Sequence, residues 1–582
     1  MRACPCRLLL ACLVLLCTAC SSGDERPPVL RDGSDASAPG GWSWTRCPPG
    51  FVQQCAKVQV ALNWDDPQGA TIDLHVARLA APSARTGQLW LLQGGPGGSG
   101  ADLVDLIRAL GNLAPHLDVY TLDHRGVGHS TRLGCPEQEA TDSPGAHYIS
   151  PEEFPACMEA VKSQWGQRLA HFSTTQAARD LAYLIDRTRG PHDQVFVLGC
   201  SYGTYWAIRY LQVAPEQATG VILDSIAPPA FRISGFDAQF DPVAQTLMQA
   251  CEADAVCAAR LGPATWSRLR SIYALADQGH CQETGFTRDT LRGVMGGLLT
   301  SWQGRLFAPA LAYRFERCDP GDVRAIEHLG QALQSAESPT EKLYSDVLHH
   351  HVALSELWAS PPPSTDELQQ IVSSSLFAPG YGPRVGSQLA RWPLYPRDSL
   401  VDQWPSTSVP LLMLNGDMDP QTPLASARVV EDHLRAAHQH FVRVRLAAHT
   451  VAVQSPMNDV EQLPCGLQMI LGFLGAPTAP LDTSCLAGLK RLDFEGDGVL
   501  AESVWGVASM WDNPESRSAL GRERPIRVDW DAWIRRAHRH PLRCKARQAG
   551  SATPETTRSS ARRRLEAAML RTRTSMMARR GL

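Results

Sequence analysis

Ser201 lies in Gly199-Cys200-Ser201-Tyr202-Gly203, after the apolar run Val195–Leu198 and before Tyr202–Leu211, a stretch with no glycine after 203 and no proline before 215. A buried strand that turns at once into a helix presses both backbones against the serine Cβ, so only glycine fits on either side. Such a turn exposes Oγ and sets it at a helix N-terminus, which favours developing negative charge. The chemistry indicated is nucleophilic attack on a carbonyl. It requires a base within hydrogen-bond reach of Oγ and a carboxylate to orient that base.

In sheet-based serine hydrolases the three groups follow the chain order Ser, acid, His. Asp419, in Asn415-Gly-Asp-Met-Asp419, and His449, in Ala448-His449-Thr450, meet that order, and both follow strand-like runs. Asp417 and Asp224 are rival acids. His433, His438 and His440 belong to a polar helix or its end and are expected to be solvated. A second glycine-rich stretch, Gln93-Gly-Gly-Pro-Gly-Gly-Ser-Gly100, offers backbone N–H groups for an oxyanion hole. Pro96 has no N–H, so the donor must come from Gly94, Gly95 or Gly97. No Gly-Lys-Ser/Thr follows, which disfavours a phosphate loop.

These residues need a sheet to carry them. Val58–Leu62 and Ile72–Val76 alternate as paired strands. Gln88–Leu92, Leu117–Asp123, Val195–Leu198 and Val221–Ser225 are buried runs separated by loops or helices. Ser173 with Gln176 is expected to form a capping box for a helix reaching Arg189. The alternation over 88–225 predicts an α/β fold, a mostly parallel central sheet with helices on both faces. From about 230 to 400 the pattern is helical, as in Phe240–Leu261 and Leu343–Trp358, and predicts an inserted lid. Sheet order resumes at Val409–Leu414 and Phe441–Ala447. His124-Arg-Gly-Val-Gly-His-Ser130 reads as an internal salt-bridged turn as readily as a catalytic one.

Of the 17 cysteines, five lie at or before position 20. Ten of the remaining twelve fall into neighbour pairs, 47–55, 135–157, 251–257, 281–318 and 465–485, the pattern of structural disulfides in an exported chain. Cys200 is expected to be a small buried hydrophobe without a disulfide partner. No spacing suggests zinc, and His349-His350-His351 reads as an exposed patch. No cofactor is implied.

The N-terminus carries Arg2 and Arg7 ahead of the apolar run Leu8–Leu16, too short to span a bilayer and typical of a secretory signal. Its end, Leu16-Cys-Thr-Ala-Cys20, resembles a bacterial lipobox, with Cys17 where leucine is usual. Lipid anchoring in a bacterial envelope, facing the periplasm or exterior, is therefore expected, with simple secretion the alternative. Net charge is −4, yet residues 541–582 hold 11 Lys or Arg and two acids, so the tail stands at +9 and the rest at −13. The tail's composition suits a solvated end, and no nucleic-acid partner is expected. The expected organisation is signal peptide 1–20, linker 21–45, core 46–229, helical lid 230–400, core 401–490, extension 491–540 and basic tail 541–582.

Gln93–Gly100, Asp123–Ser130, Thr174-Thr-Gln-Ala-Ala-Arg-Asp-Leu181, Gly199–Thr204 and Gly416-Asp-Met-Asp-Pro-Gln-Thr-Pro423 together resemble the tripeptidyl aminopeptidase branch of the proline iminopeptidase-like α/β-hydrolase serine peptidases, over roughly residues 43–490. The resemblance implies exopeptidase action on peptide N-termini, amides of Gly95 and Tyr202 as oxyanion donors, and Asp419 as the acid. Two positions depart from the pattern. Gln93 stands where Asn-Pro or His is frequent, and Ala448-His449-Thr450 stands where Gly-His-Gly is usual. An aminopeptidase also needs a carboxylate for the substrate ammonium, and Glu356 in the lid is the candidate, set against an ordinary exposed helix residue. An esterase or lipase with the same triad, or a catalytically silent hydrolase-fold binding protein, are the alternatives.

Overall fold

The computed structural model describes residues 39–513 apart from 141, 146–148 and 335–340. The expected signal peptide, lipobox and basic tail lie outside the described residues, as do most of the linker and residues 514–540 of the extension.

Nine strands form one sheet: β1 (Thr45–Arg46), β2 (Gln54–Ala61), β3 (Thr71–Leu79), β4 (Gly87–Leu92), β5 (Leu117–Leu122), β6 (Gln194–Cys200), β7 (Gly220–Asp224), β8 (Leu411–Gly416) and β9 (Gln439–Val444). Their spatial order is β1-β2-β3-β5-β4-β6-β7-β8-β9. The first three strands and their junction with β5 are antiparallel; from β5 onward every pair is parallel.

The parallel strands are apolar at nearly every position because both faces are covered. Side chains alternate between faces with period two. Leu89, Leu91, Phe196, Leu198, Ile222, Leu412 and Leu414 pack on one side, with Ile107 and Leu110 of helix Val104–Leu113 and Ile470 and Phe473 of helix Cys465–Gly475. Trp90, Leu92, Val195, Val197, Val221, Leu223 and Met413 pack on the other, with Leu181 and Leu184 of helix Thr174–Thr188 and Trp206 of helix Tyr202–Val213.

Ser173 Oγ accepts from the Gln176 amide, as expected of an N-cap. The reciprocal half of the capping box is absent, because the Gln176 side chain accepts from the Trp64 amide instead (2.8 Å). The helix is thereby tied to the β2–β3 turn.

Between β7 and β8 the described residues form helices and connecting segments, without a strand. Phe240–Leu261 is two helices, since Asp254 leaves the helical path and caps the second through the amides of Val256 and Cys257. The histidine run is not the exposed patch its polarity suggests. His349, His350 and His351 are all buried, bonded to protein groups. Residues 494–513 pack on this helical insertion: Trp505 and Trp511 are buried, and Arg314 binds the carbonyls of Ser509, Met510 and Asp512.

All five neighbour pairs of cysteines form disulfides. Such a set belongs to a chain that folds in an oxidising, extracytoplasmic compartment. No helix of the described residues is long and apolar enough to cross a membrane.

The His124–Ser130 turn is a salt-bridged one. Arg125 is buried, holds Asp180 through both Nε (2.7 Å) and Nη2 (2.6 Å), and donates to the carbonyls of Ala61, Leu62 and His171. Removing one partner leaves a buried charge alone. Arg125→Ala is expected to destabilise the fold by about 3–5 kcal/mol, measurable by denaturant unfolding; an effect below 1 kcal/mol would show the pair to be dispensable.

Candidate active site

Ser201 follows the last residue of β6 and precedes the helix Tyr202–Val213 directly. Its backbone is at φ 57°, ψ −126°, a strained conformation for a non-glycine residue. It is secured on both sides. Ser201 N donates to Asp224 O (3.0 Å), and Ser201 O accepts from Thr204 N (2.8 Å) and Thr204 Oγ1 (2.6 Å). A Cβ on Gly199 would run into the Gly203 carbonyl, and one on Gly203 into the Leu92 carbonyl. This is the steric reason for the glycines on either side.

Asp419 sits in the loop after β8 and His449 in the loop after β9, both at the carboxyl end of the parallel sheet, where sheet enzymes build their sites. His449 Nδ1 lies 2.8 Å from Asp419 Oδ2. Asp419 Oδ1 accepts from the amides of Gln421 (2.8 Å) and Thr422 (3.1 Å), and Oδ2 also accepts from Thr422 Oγ1 (2.7 Å). Burial alone would raise the Asp419 pKa. The neighbouring His449 and these hydrogen bonds outweigh it and hold the carboxyl below its ordinary value. Nδ1 is turned to the carboxylate, and Nε2 points away from it. Ser201 Oγ and His449 Nε2 are both buried with no hydrogen-bond partner among the described residues.

The rival acids have other work. Asp417 accepts from Leu446 N (2.7 Å) and pairs with Arg443 (2.7 Å). Asp224, at the end of β7, accepts from the amides of Val451 (2.7 Å) and Ala452 (2.9 Å), and Ser225 Oγ accepts from Thr450 N (2.7 Å). These bonds set the loop that presents His449. They also account for Thr450, which takes φ 70° where a glycine would be unstrained. Burial raises the Asp224 carboxyl to about 6 against bonds that lower it. Its folded pKa lies above the unfolded 3.8. The contribution to stability is therefore full below the unfolded value and is lost as pH rises through about 6. Asp224→Asn abolishes that titration and turns an amide NH2 against one of the two backbone donors. We expect a smaller fall in unfolding free energy between about pH 4 and 7, and a loss of about 1–3 kcal/mol at pH 7, by urea unfolding at both pH values. An unchanged pH slope would contradict this account of the loop.

Gly95 adopts φ 119° in the glycine loop. No hydrogen bond among the described residues engages the amide of Gly95 or Tyr202. The loop's ends are held from the core: Gln93 Oε1 accepts from Gly94 N (2.8 Å), and Asp123 accepts from Gly100 N (3.0 Å). Glu356 is neither exposed nor open to a ligand. Its carboxylate accepts from Thr174 N (2.9 Å), Tyr395 OH (2.7 Å) and Tyr205 OH (3.0 Å), and lies 3.4 Å from Arg209. The expected role in binding an ammonium is corrected accordingly: the group's acceptor capacity is filled by protein donors, which join the insertion to the elbow helix. Cys200 is buried as expected, 3.6 Å from Thr450 Oγ1, but it is disulfide-bonded, and none of the other ten described cysteines is its partner. The expectation of a lone thiol is overturned.

The sequence reasoning missed Thr422, Asp224 in its loop-holding role, and Arg305. The last is a buried arginine from the insertion that donates to Leu446 O (3.3 Å). Burial lowers its pKa to about 10, opposed by the charges of Asp419 and Asp417. Only Thr422 left a local signal, a hydroxyl three residues after the acid.

Fold and site define a serine-type α/β hydrolase. The model for the α/β hydrolase fold matches residues 89–257, and a model described as TAP-like protein matches residues 378–485. A tripeptidyl aminopeptidase of Streptomyces lividans is 31% identical over 194 residues, 30% of this chain and 36% of that protein. Serine protease Hip1 of Mycobacterium bovis is 27% identical over 34% of this chain and 38% of its own, and Carboxylesterase B of Mycobacterium tuberculosis 32% identical over 22% and 28%. The chain has the α/β hydrolase fold, and in the matched segments it is similar to tripeptidyl aminopeptidases. It aligns with just over a third of the length of the first of these relatives.

Proposed function

We propose that this chain is an exported serine exopeptidase that releases short peptides or single residues from peptide N-termini. The observation that carries the reading is the His449–Asp419 contact of 2.8 Å at the sheet end where strained Ser201 stands. His449 Nε2 takes the Ser201 proton as Oγ bonds to the scissile carbonyl carbon. The oxyanion is met by the amides of Gly95 and Tyr202. The proton passes to the leaving amine, the C–N bond breaks, and water activated by His449 hydrolyses the acyl-enzyme. The relatives' names support a peptide substrate, and the disulfides support export. Lipid attachment at Cys20 belongs to the same proposal.

The match to a carboxylesterase favours one second reading, an esterase using the same three residues. Peptidyl reporters with free and blocked N-termini, assayed beside simple esters, separate the two. The exopeptidase reading expects cleavage of free N-termini in preference to blocked ones. Equal cleavage of both would remove it, and turnover of esters alone would establish the esterase.

A further inference from the structure

The glycine loop has five glycines in eight residues, and Pro96 is the one residue that stiffens its middle. The glycines on either side of Pro96 leave the position of the Gly95 amide to be fixed by contacts from outside the loop. The core anchors the two ends, at Gly94 and Gly100, but the centre is held from the helical insertion. Pro96 O accepts from Tyr344 OH (2.8 Å) and lies 2.9 Å from His349 Nδ1. Those two side chains are 2.7 Å apart, and His349 Nε2 is 2.8 Å from Tyr381 OH. One arrangement satisfies all four contacts: a neutral imidazole with its hydrogen on Nδ1, shared between Pro96 O and the Tyr344 oxygen, and with Nε2 accepting from Tyr381. Burial lowers the His349 pKa to about 3, which keeps the ring in that neutral form.

The backbone beside this pair is fixed as well. Ser345 N donates to Gly97 O (3.0 Å), Ser345 Oγ to Leu133 O (2.6 Å), and Arg132 to the carbonyls of Leu343 (3.0 Å) and Tyr344 (2.6 Å). The insertion thus reaches the loop through two buried side chains and one backbone bond.

We propose that Tyr344 and His349 are positioning residues: by holding the Pro96 carbonyl they set the Gly95 amide where the oxyanion forms, so the hole is complete only with the insertion docked. The inference rests on the serine-hydrolase reading of Ser201 but not on the choice between peptide and ester. It is therefore tested with p-nitrophenyl acetate and a trifluoromethyl ketone that forms a tetrahedral adduct with the serine. The full chain is used, with active sites counted by fluorophosphonate titration.

Tyr344→Phe keeps the ring packing and removes one donor. It is expected to lower kcat per titrated site about tenfold with KM within about twofold, and to weaken the ketone by the same factor. His349→Leu removes the other donor, with an expected loss on the order of a hundredfold. His349→Asn, whose amide nitrogen can take the place of Nδ1, should recover most of that loss. A role in folding alone would reduce the titrated fraction and leave kcat per site unchanged. Should His349→Leu fail to fold, Tyr344→Phe and His349→Asn decide. Unchanged kcat per site and ketone affinity in the variants that fold would overturn the inference. Hydrolysis that survives Ser201→Ala would instead overturn the reading beneath it, a separable result.

Discussion

Ser201→Ala is expected to abolish labelling by a fluorophosphonate and to lower kcat on the order of a millionfold, for whichever reporter proves best. The residue contributes the hydroxyl proposed as nucleophile, and without it the remaining groups can bind and polarise a carbonyl but cannot form the acyl-enzyme. The same substitution should leave the fold intact. Ser201 Oγ is buried without a partner, so its removal also removes an unsatisfied polar atom. A rise of about 1 kcal/mol in unfolding free energy is expected, measured by denaturant unfolding of both proteins. Activity retained by a folded Ser201→Ala protein would show that the elbow does no nucleophilic chemistry.

Asp419→Asn should be nearly as damaging, with kcat lowered about ten-thousandfold. The surrounding donors dictate which way the amide turns. The amides of Gln421 and Thr422 both point at Oδ1, so the asparagine oxygen occupies that place and the NH2 takes the place of Oδ2. An N–H then faces His449 Nδ1, which must accept it, and the ring hydrogen moves to Nε2. The base can no longer take a proton from Ser201. Asp417→Asn, two residues away, breaks a turn contact with Arg443 and Leu446 and should change kcat less than tenfold. Steady-state kinetics on the two variants separates these acids; equal losses would remove the assignment.

A stability effect accompanies the first of these variants. Asp419 titrates below its ordinary value in the fold, so it contributes stability above the unfolded pKa of 3.8 and loses it as pH falls through the folded value. The difference between the parent and Asp419→Asn should accordingly be largest near neutral pH and shrink in acid.

Much of this was legible along the chain. The apolar runs that became β4 to β8 are recognisable because a strand covered on both faces must be largely apolar. The five disulfides between described cysteines join residues close in sequence, where chain connectivity alone keeps partners near. Ser201 could be found because sharp strand-to-helix geometry demands glycine at fixed offsets.

Other features left no local trace. Three polar residues at 349–351 read as surface, yet the fold supplies Pro96 O, Tyr381, Asp346 O and Leu169 O as their partners. Glu356 could be placed in the insertion but not seen to be filled by Thr174, Tyr205, Tyr395 and Arg209. The capping box failed by half because Gln176 found a better use across the turn at Trp64. Apart from Asp346 O, four residues before His350, the deciding partners are remote in the chain.

The sequence by itself determined the class of sheet, and it singled out one serine on a glycine-flanked elbow. Those features follow from sterics and periodicity over a few residues. The different hydrogen-bond partners of Asp224, Asp417 and Asp419, the side of His449 that faces Asp419, and the contacts on the glycine loop are visible only in the tertiary structure. They depend on hydrogen-bond distances and directions between groups 29 to 253 residues apart, and no short stretch of sequence encodes a direction in space.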